Sequence, residues 1–378
     1  MKIAFVMRYM HKMGGSEFQI ANISWQMKQI FDVKWWTTEF DSQMFPKIKE
    51  IKNVHVFKNE SYPWFKYYWI IDLFNFLRNE KPDILYSRDS SRVWLYTIMT
   101  KLLSIKIVWS INYSIQRTDF SIYSLIRRFI RRDPSKSIEL KKPKGKLPIW
   151  ALYAYLTNKC LGSINLICQS SEHKFFLDKK KLESTVIPNG IDILDPSVTL
   201  QKASQPEVVF IANLGRRRRP EFFFDLAEHL LDFGAKFIVC GREAEDSHYQ
   251  RKLVDRMSRL PNLIYLGEVS QDKVNEILCS ASLMVFPSPV GAFSNAFIQS
   301  WLRETPVVTV GTDIGKITGN EEISIFCNDF NELVFKVKNL LINKDMLSEL
   351  GKKVREFAES NYSSDKIKQK HIAYFNGI

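Results

Sequence analysis

Apolar positions along the chain come in two alternating patterns. Short runs rich in β-branched and aromatic residues are separated by longer stretches in which apolar residues recur every three or four positions. Ile3–Met7, Val33–Thr38, Val54–Phe57, Asp83–Ser87, Lys106–Ser110 and Asn165–Gln169 are runs of the first kind and predict strands. A glycine loop follows the first run, then a helix from about Ser16, and WIIDLFNFLRNE shows helical periodicity. Such alternation predicts an α/β domain built on a parallel sheet.

The pattern breaks between Ser184 and Gln205, where Pro188, Gly190 and Pro196 fall in a stretch with few aromatics, so this stretch reads as a linker. A second alternation follows, with strands at Val208–Leu214, Lys236–Cys240, Asn262–Leu266, Leu283–Pro287 and Pro306–Val310. The expectation is two doubly wound domains, 1–190 and 206–358, joined by a linker over 191–205. A helix over 359–378 has no strand after it and returns toward the N-terminal domain.

One segment departs from the alternation. Residues 117–146 carry nine arginines and lysines after Arg117 against Asp119, Asp133 and Glu139. Within it, YSLIRRFIRR sets Leu125, Ile126, Phe129 and Ile130 on one helical face and Arg127, Arg128, Arg131 and Arg132 on the other. Two readings stay open, a helix lying in an anionic membrane interface and a solvated helix packed on its own domain.

Composition narrows the class. At 378 residues, 45% hydrophobic and 25% charged, the chain is globular and long enough for two cores. Its five cysteines are scattered, with no Cys-x-x-Cys pair, and read as reduced core thiols of a cytosolic protein. No signal peptide is expected from MKIAFVM, and no run reaches the roughly 20 apolar residues of a spanning helix. The expected location is the cytoplasm, with a peripheral place on the inner face of the membrane if 117–146 binds it. A formal charge of +13 calls for an anionic partner: a phosphorylated metabolite, a membrane or nucleic acid.

Three places offer chemistry. Gly14 and Gly15 lie between the first strand and its helix, where backbone approaches a ligand closely and N–H groups face an anion. The spacing is not Gly-x-Gly-x-x-Gly, so a dinucleotide site is poorly supported, and taken alone the loop reads as a tight turn more readily than as a site. In LGRRRRPEFFFDLAEHL, Pro220 suits the first turn of a helix and Glu221 its positive end. Arg216–Arg219 therefore sit in a strand-to-helix loop at the carboxyl edge of a sheet, where ligands of such folds bind. One or two of them are expected to turn inward, the rest to be solvated. The third place is PSPVGAFSNAFIQSWLRETPVV, in which Ser294 or Asn295 caps a helix after a loop. No Asp-x-Asp, His-Glu-x-x-His, Gly-x-Ser-x-Gly or Walker loop occurs, and six scattered histidines do not suit zinc.

Taken in order, MKIAFVMRYMHKMGGSEFQIA, KPDILYSRDS, STVIPNGID, VVFIANLGRRRRPEFFFDLA, NLIYLGEV and VFPSPVGAFSNAFIQSWLRETPVV resemble the GT-B glycosyltransferases of family 4 over nearly the whole chain. The resemblance implies two Rossmann-like domains facing a central cleft, with the acceptor on the N-terminal one and a nucleotide-sugar on the other. It implies that Asn213 and Arg218 grip the donor diphosphate, and that the backbone of Gly267, Glu268 and Val269 meets the base. Ala292, Phe293, Ser294 and Asn295 would offer N–H groups to sugar and phosphate, and Gly14 and Gly15 would lie near the transferred sugar.

Departures from the family pattern are specific. Two glutamates seven residues apart become Gly291 and Gln299, the latter still able to hydrogen-bond ribose. Asn112 stands where an N-domain histidine is common and joins Arg218 and Asn213 as a catalytic candidate. A Gly-Gly turn is reduced to Asp313-Ile314-Gly315-Lys316. The implied activity is retaining transfer from a UDP- or GDP-linked sugar to a glycan or lipid-linked saccharide in surface polysaccharide synthesis, with no metal and no cofactor. The rivals are an inert GT-B protein that binds a nucleotide-sugar or a partner enzyme, and, less favoured, a nucleic-acid-modifying transferase; nucleic acid is disfavoured because the basic residues gather in loops.

Overall fold

The computed structural model describes residues 1–11, 14–57, 67–89, 92–111, 156, 159–193, 200–243, 247–288 and 293–378. The basic stretch with Arg127, Arg128, Arg131 and Arg132 lies outside them, as do Asn112, Gly291 and Ala292. The chain divides into two compact units, one of Met1–Gln169, His173–Ile187 and Ile372–Ile378, the other of Ser170–Glu172 and Pro188–His371.

In the first unit the strands are β1 (Lys2–Val6), β2 (Tyr9–Met10), β3 (Asp32–Thr37), β4 (Glu39–Phe40), β5 (Val54–Val56), β6 (Ile84–Ser87), β7 (Lys106–Ser110), β8 (Asn165–Cys168) and β9 (Ser184–Val186). Seven of these make a parallel sheet in the order β5-β3-β1-β6-β7-β8-β9, and β2 pairs with β4 apart from it. The second unit carries β10 (Glu207–Ile211), β11 (Lys236–Cys240), β12 (Leu263–Tyr265), β13 (Leu283–Phe286), β14 (Val307–Val310) and β15 (Ile325–Cys327). Its parallel sheet runs β12-β11-β10-β13-β14-β15. Both sheets therefore reverse their order once, between β1 and β6 and between β10 and β13.

The predicted α/β class follows from burial. Central strands such as KIAFV and EVVFI are covered on both faces, which is why they read as continuous apolar runs and not as alternation. On one face of the first sheet, Ala4, Trp36, Leu85 and Trp109 pack with Leu73, Leu77 and Met99 from the helices Tyr68–Glu80 and Val93–Leu102. In the second, Val208, Phe210, Phe237 and Val285 pack with Phe223, Phe224, Leu253 and Leu333.

Three local expectations are corrected. Ser184–Val186, read as the start of the linker, pairs with β8 as the edge strand β9. Asn213 and Leu214, read as the end of a strand, lie beyond β10, which stops at Ile211; Leu214 only donates its N–H to the Arg242 carbonyl (2.9 Å) in the loop after β11. Asp313–Lys316 is not a turn alone: Asp313 caps the short helix Ile314–Thr318. All five cysteines are free, with Cys168, Cys240 and Cys327 buried, and burial pushes the Cys240 thiol up to about 11. Among the described residues, no helix is long and apolar enough to cross a membrane.

Candidate functional site

The carboxyl ends of β10 and β13 meet where the second sheet reverses, and ligands of open parallel sheets bind at such points. The loop after β10 closes into a 3-10 turn, Arg216–Arg218, followed by Arg219 in the left-handed region (φ 48°) and Pro220 at the first position of the helix Pro220–His229. This tight turn sends four adjacent arginines in different directions. Arg216 lies over the Tyr249 ring at 4.2 Å, and Tyr249 donates its hydroxyl to Glu221 at 2.5 Å. Burial and that acceptor raise the Tyr249 pKa, so it remains a donor. Arg219 lies over Phe222 at 5.4 Å. Arg217 is exposed, while its carbonyl accepts from Ser288 Oγ at 3.0 Å, which ties the loop after β10 to the one after β13. Thr312 Oγ1 in turn donates to the Ser288 carbonyl at 2.7 Å.

Arg218 alone turns in. Its guanidinium carbon stands 5.2 Å from the Phe286 ring at the end of β13, and its Nη1 is buried with no hydrogen-bond partner among the described residues. Burial, and then the like charge of Arg217, pull its pKa down, yet a guanidinium starts so far above neutrality that it stays charged. A buried, charged, unpartnered donor at the switch point is what an anionic ligand would satisfy.

The other predicted donor-site residues are in the same unit with varied roles. Asn213 is exposed. Gly241 N–H donates to the Gly267 carbonyl at 2.8 Å, which holds the loops after β11 and β12 together. Gly267 is left-handed (φ 71°), the exposed Glu268 pairs with Arg242 at 3.2 Å, and Val269 is half-buried. Ser294 caps the helix Asn295–Trp301, accepting from the Ala296 N–H at 3.3 Å. The Phe293 side chain is core, packed on Phe297, Trp301 and Tyr362. Asn295 Oδ1 accepts from Asn189 Nδ2 at 2.7 Å, so the Asn-Gly-Ile-Asp signature docks on this turn. Gln299 is buried, and its amide already donates to Gln271 at 2.6 Å.

In the first unit, Gly15 opens the helix Gly15–Met27, and Gly14 is extended (φ −134°). A Cβ at Gly14 would meet only the Glu17 carboxylate folded back over it, the far end of a flexible side chain that can swing aside. Glu17 also offers countercharge to Arg88, a buried residue just after β6 whose pKa burial lowers. Sequence reasoning passed over Arg88, Ser288 and Gln271. Each is an ordinary polar residue whose role exists only once distant loops meet.

Residues 205–343 match the family model "Glycosyl transferases group 1". No curated protein matches the chain in sequence. Among solved structures, Anabaena HepE in complex with UDP-glucose is similar at a TM-score of 0.74 and 14% identity, each chain covered in full. Sucrose-phosphate synthase from Thermosynechococcus elongatus matches at 0.70 and 12%, over 100% of this chain and 98% of that one. The apo lipopolysaccharide outer core galactosyltransferase WaaB matches at 0.66 and 13%, again over both full chains. The fold is of the GT-B class.

Proposed function

From a GT-B fold whose residues 205–343 match the group 1 glycosyl transferases, we propose that this chain is a glycosyltransferase drawing on a UDP- or GDP-linked sugar. The unpartnered, half-buried Arg218 guanidinium beside β13 carries the reading. It would hold the donor diphosphate, with Asn213 as second contact, and the glycines at 241 and 267 would shape the base pocket. The transfer we infer is retaining. The anomeric carbon–phosphate oxygen bond breaks, the acceptor oxygen bonds to the same face, and the acceptor proton passes to the departing phosphate oxygen. Such a reaction needs no enzymic carboxylate as nucleophile, and positive charge on the leaving diphosphate supplies the main stabilisation. We place the acceptor, a glycan or lipid-linked saccharide, on the first unit. Service in surface polysaccharide synthesis at the inner face of a membrane rests on the basic sequence 117–146 alone.

A thermal-shift series with nucleotides and nucleotide-sugars tests this, since a ligand of the folded state raises its melting temperature. Arg218→Ala should remove most of the UDP- or GDP-dependent shift and Arg217→Ala little of it; equal effects at the two would overturn the assignment. The inert reading draws on Gly291 and on Gln299 being engaged by Gln271. Persistent absence of sugar transfer or donor hydrolysis, with nucleotide binding intact, would decide for it.

A further inference from the structure

Where the first sheet reverses, between β1 and β6, the residues after these strands form a cluster that donor binding leaves unused. Arg8 follows β1. Its carbonyl is fixed from the end of β3 by Thr38 N–H (2.9 Å), Thr38 Oγ1 (2.7 Å) and Thr37 Oγ1 (3.1 Å). Its guanidinium carbon lies 4.7 Å from the Tyr9 ring and 4.8 Å from the buried Trp69 ring. Arg92, after β6, approaches the same indole at 5.6 Å. The two cations differ in their partners. Arg92 pairs with Asp89 at 3.4 Å, and Asp89 also accepts from the Tyr96 hydroxyl at 3.1 Å. Arg8 has no carboxylate partner among the described residues, and its Nε is buried without an acceptor.

A guanidinium that is stacked but unpaired is held flat with its N–H edge unengaged, the geometry in which it takes an oxyanion through two parallel hydrogen bonds. Leaving such a charge half-buried and uncompensated is costly, so the arrangement suits a ligand that completes it. Tyr9 is exposed, which opens the cluster to solvent. We propose that Arg8, backed by Trp69 and seconded by Arg92, binds an oxyanion carried by the acceptor, so that the preferred acceptor is an acidic saccharide. The negative group is a phosphate monoester or a uronate carboxylate. This rests on the reading that the first unit takes the acceptor.

The test is calorimetric titration of the full chain, with and without saturating UDP, using methyl glucoside, methyl glucuronide, glucose 6-phosphate and inorganic phosphate. At least one acidic sugar should bind about tenfold or more tightly than methyl glucoside, and Arg8→Met should lose about tenfold or more of that affinity. Arg8→Lys keeps the charge without the planar edge and should fall between; it also serves if Arg8→Met does not fold. The tighter of the two acidic sugars identifies the group. Acidic and neutral sugars binding alike, Arg8→Met binding as the wild type does, or heat that inorganic phosphate reproduces regardless of Arg8 would overturn the proposal. So would a loss confined to UDP binding. Failure of UDP to bind the wild type would instead count against the donor reading, and the UDP-free titrations would still decide this one.

Discussion

At the scale of single residues, the environment of a side chain decides what its charge does. His173 is buried, and burial alone lowers its pKa from 6.5 to about 4. Above pH 6.5 it is neutral whether the chain is folded or not, and it contributes no pH dependence. Between 6.5 and about 4 the unfolded chain takes up a proton that the folded one refuses, so stability falls as pH falls; below about 4 both are protonated and the slope ends. The loss should be on the order of 3 kcal/mol. Urea unfolding at pH 7 and pH 4.5 should show that His173→Gln removes this part of the acid sensitivity. The arginine run makes a related point. Its position at a sheet edge was legible in the sequence, and so was the inward turn of one or two of the four. Which one turns in depends on a 3-10 turn and on Tyr249 and Phe286, neither of them near in sequence.

At the scale of elements, long strands with covered faces announced themselves, and Lys106–Ser110 and Lys236–Cys240 fall where their apolar runs predict. Three-residue strands were legible only where a longer apolar run surrounds them, as at Val54–Val56 and Leu263–Tyr265. Ser184–Val186 is too short for a pattern and sits beside Pro188, and Ile325–Cys327 was passed over for the same shortness. The end of β10 was overrun because the apolar Leu214 continues the run, although it packs from a loop. The clusters at the sheet edges were least legible: Arg8 and Arg92 lie far apart in sequence, and only parallel pairing of β1 with β6 brings their loops together. Loops also set the tolerance to change. Gly241 has φ 156°, and a Cβ there would overlap the Ala212 carbonyl, so Gly241→Ala should cost about 3 kcal/mol or more. Gly215, at φ −84° with open space around it, should accept alanine within about 0.5 kcal/mol. Urea midpoints of the two variants check the contrast.

At the scale of the molecule, structural likeness spans the whole chain while the family match stops at residues 205–343. Membership of a unit does not follow sequence order. The closing helix Ser364–Gly377 begins among residues of the second unit, and Ile372–Ile378 belong to the first. There Phe375, 1% exposed, meets Phe31 at 6.1 Å and Tyr86 at 5.9 Å edge-on. Phe375→Ala should therefore weaken the first unit by about 3–5 kcal/mol, seen as an earlier loss of its tryptophan signal on heating.

The same feature sets an order in time. Every strand of the first sheet has been made once the ribosome passes Val186, yet Phe375, the aromatic cover for Phe31 and Tyr86, is translated only after the last strand of the second sheet. At about 5–20 residues per second, the stretch from Ile187 to Ile372 takes roughly ten to forty seconds to emerge. The first sheet thus waits for this cover until the second sheet has been made, and a nascent chain halted before Ile372 would present an uncovered aromatic seam to chaperones.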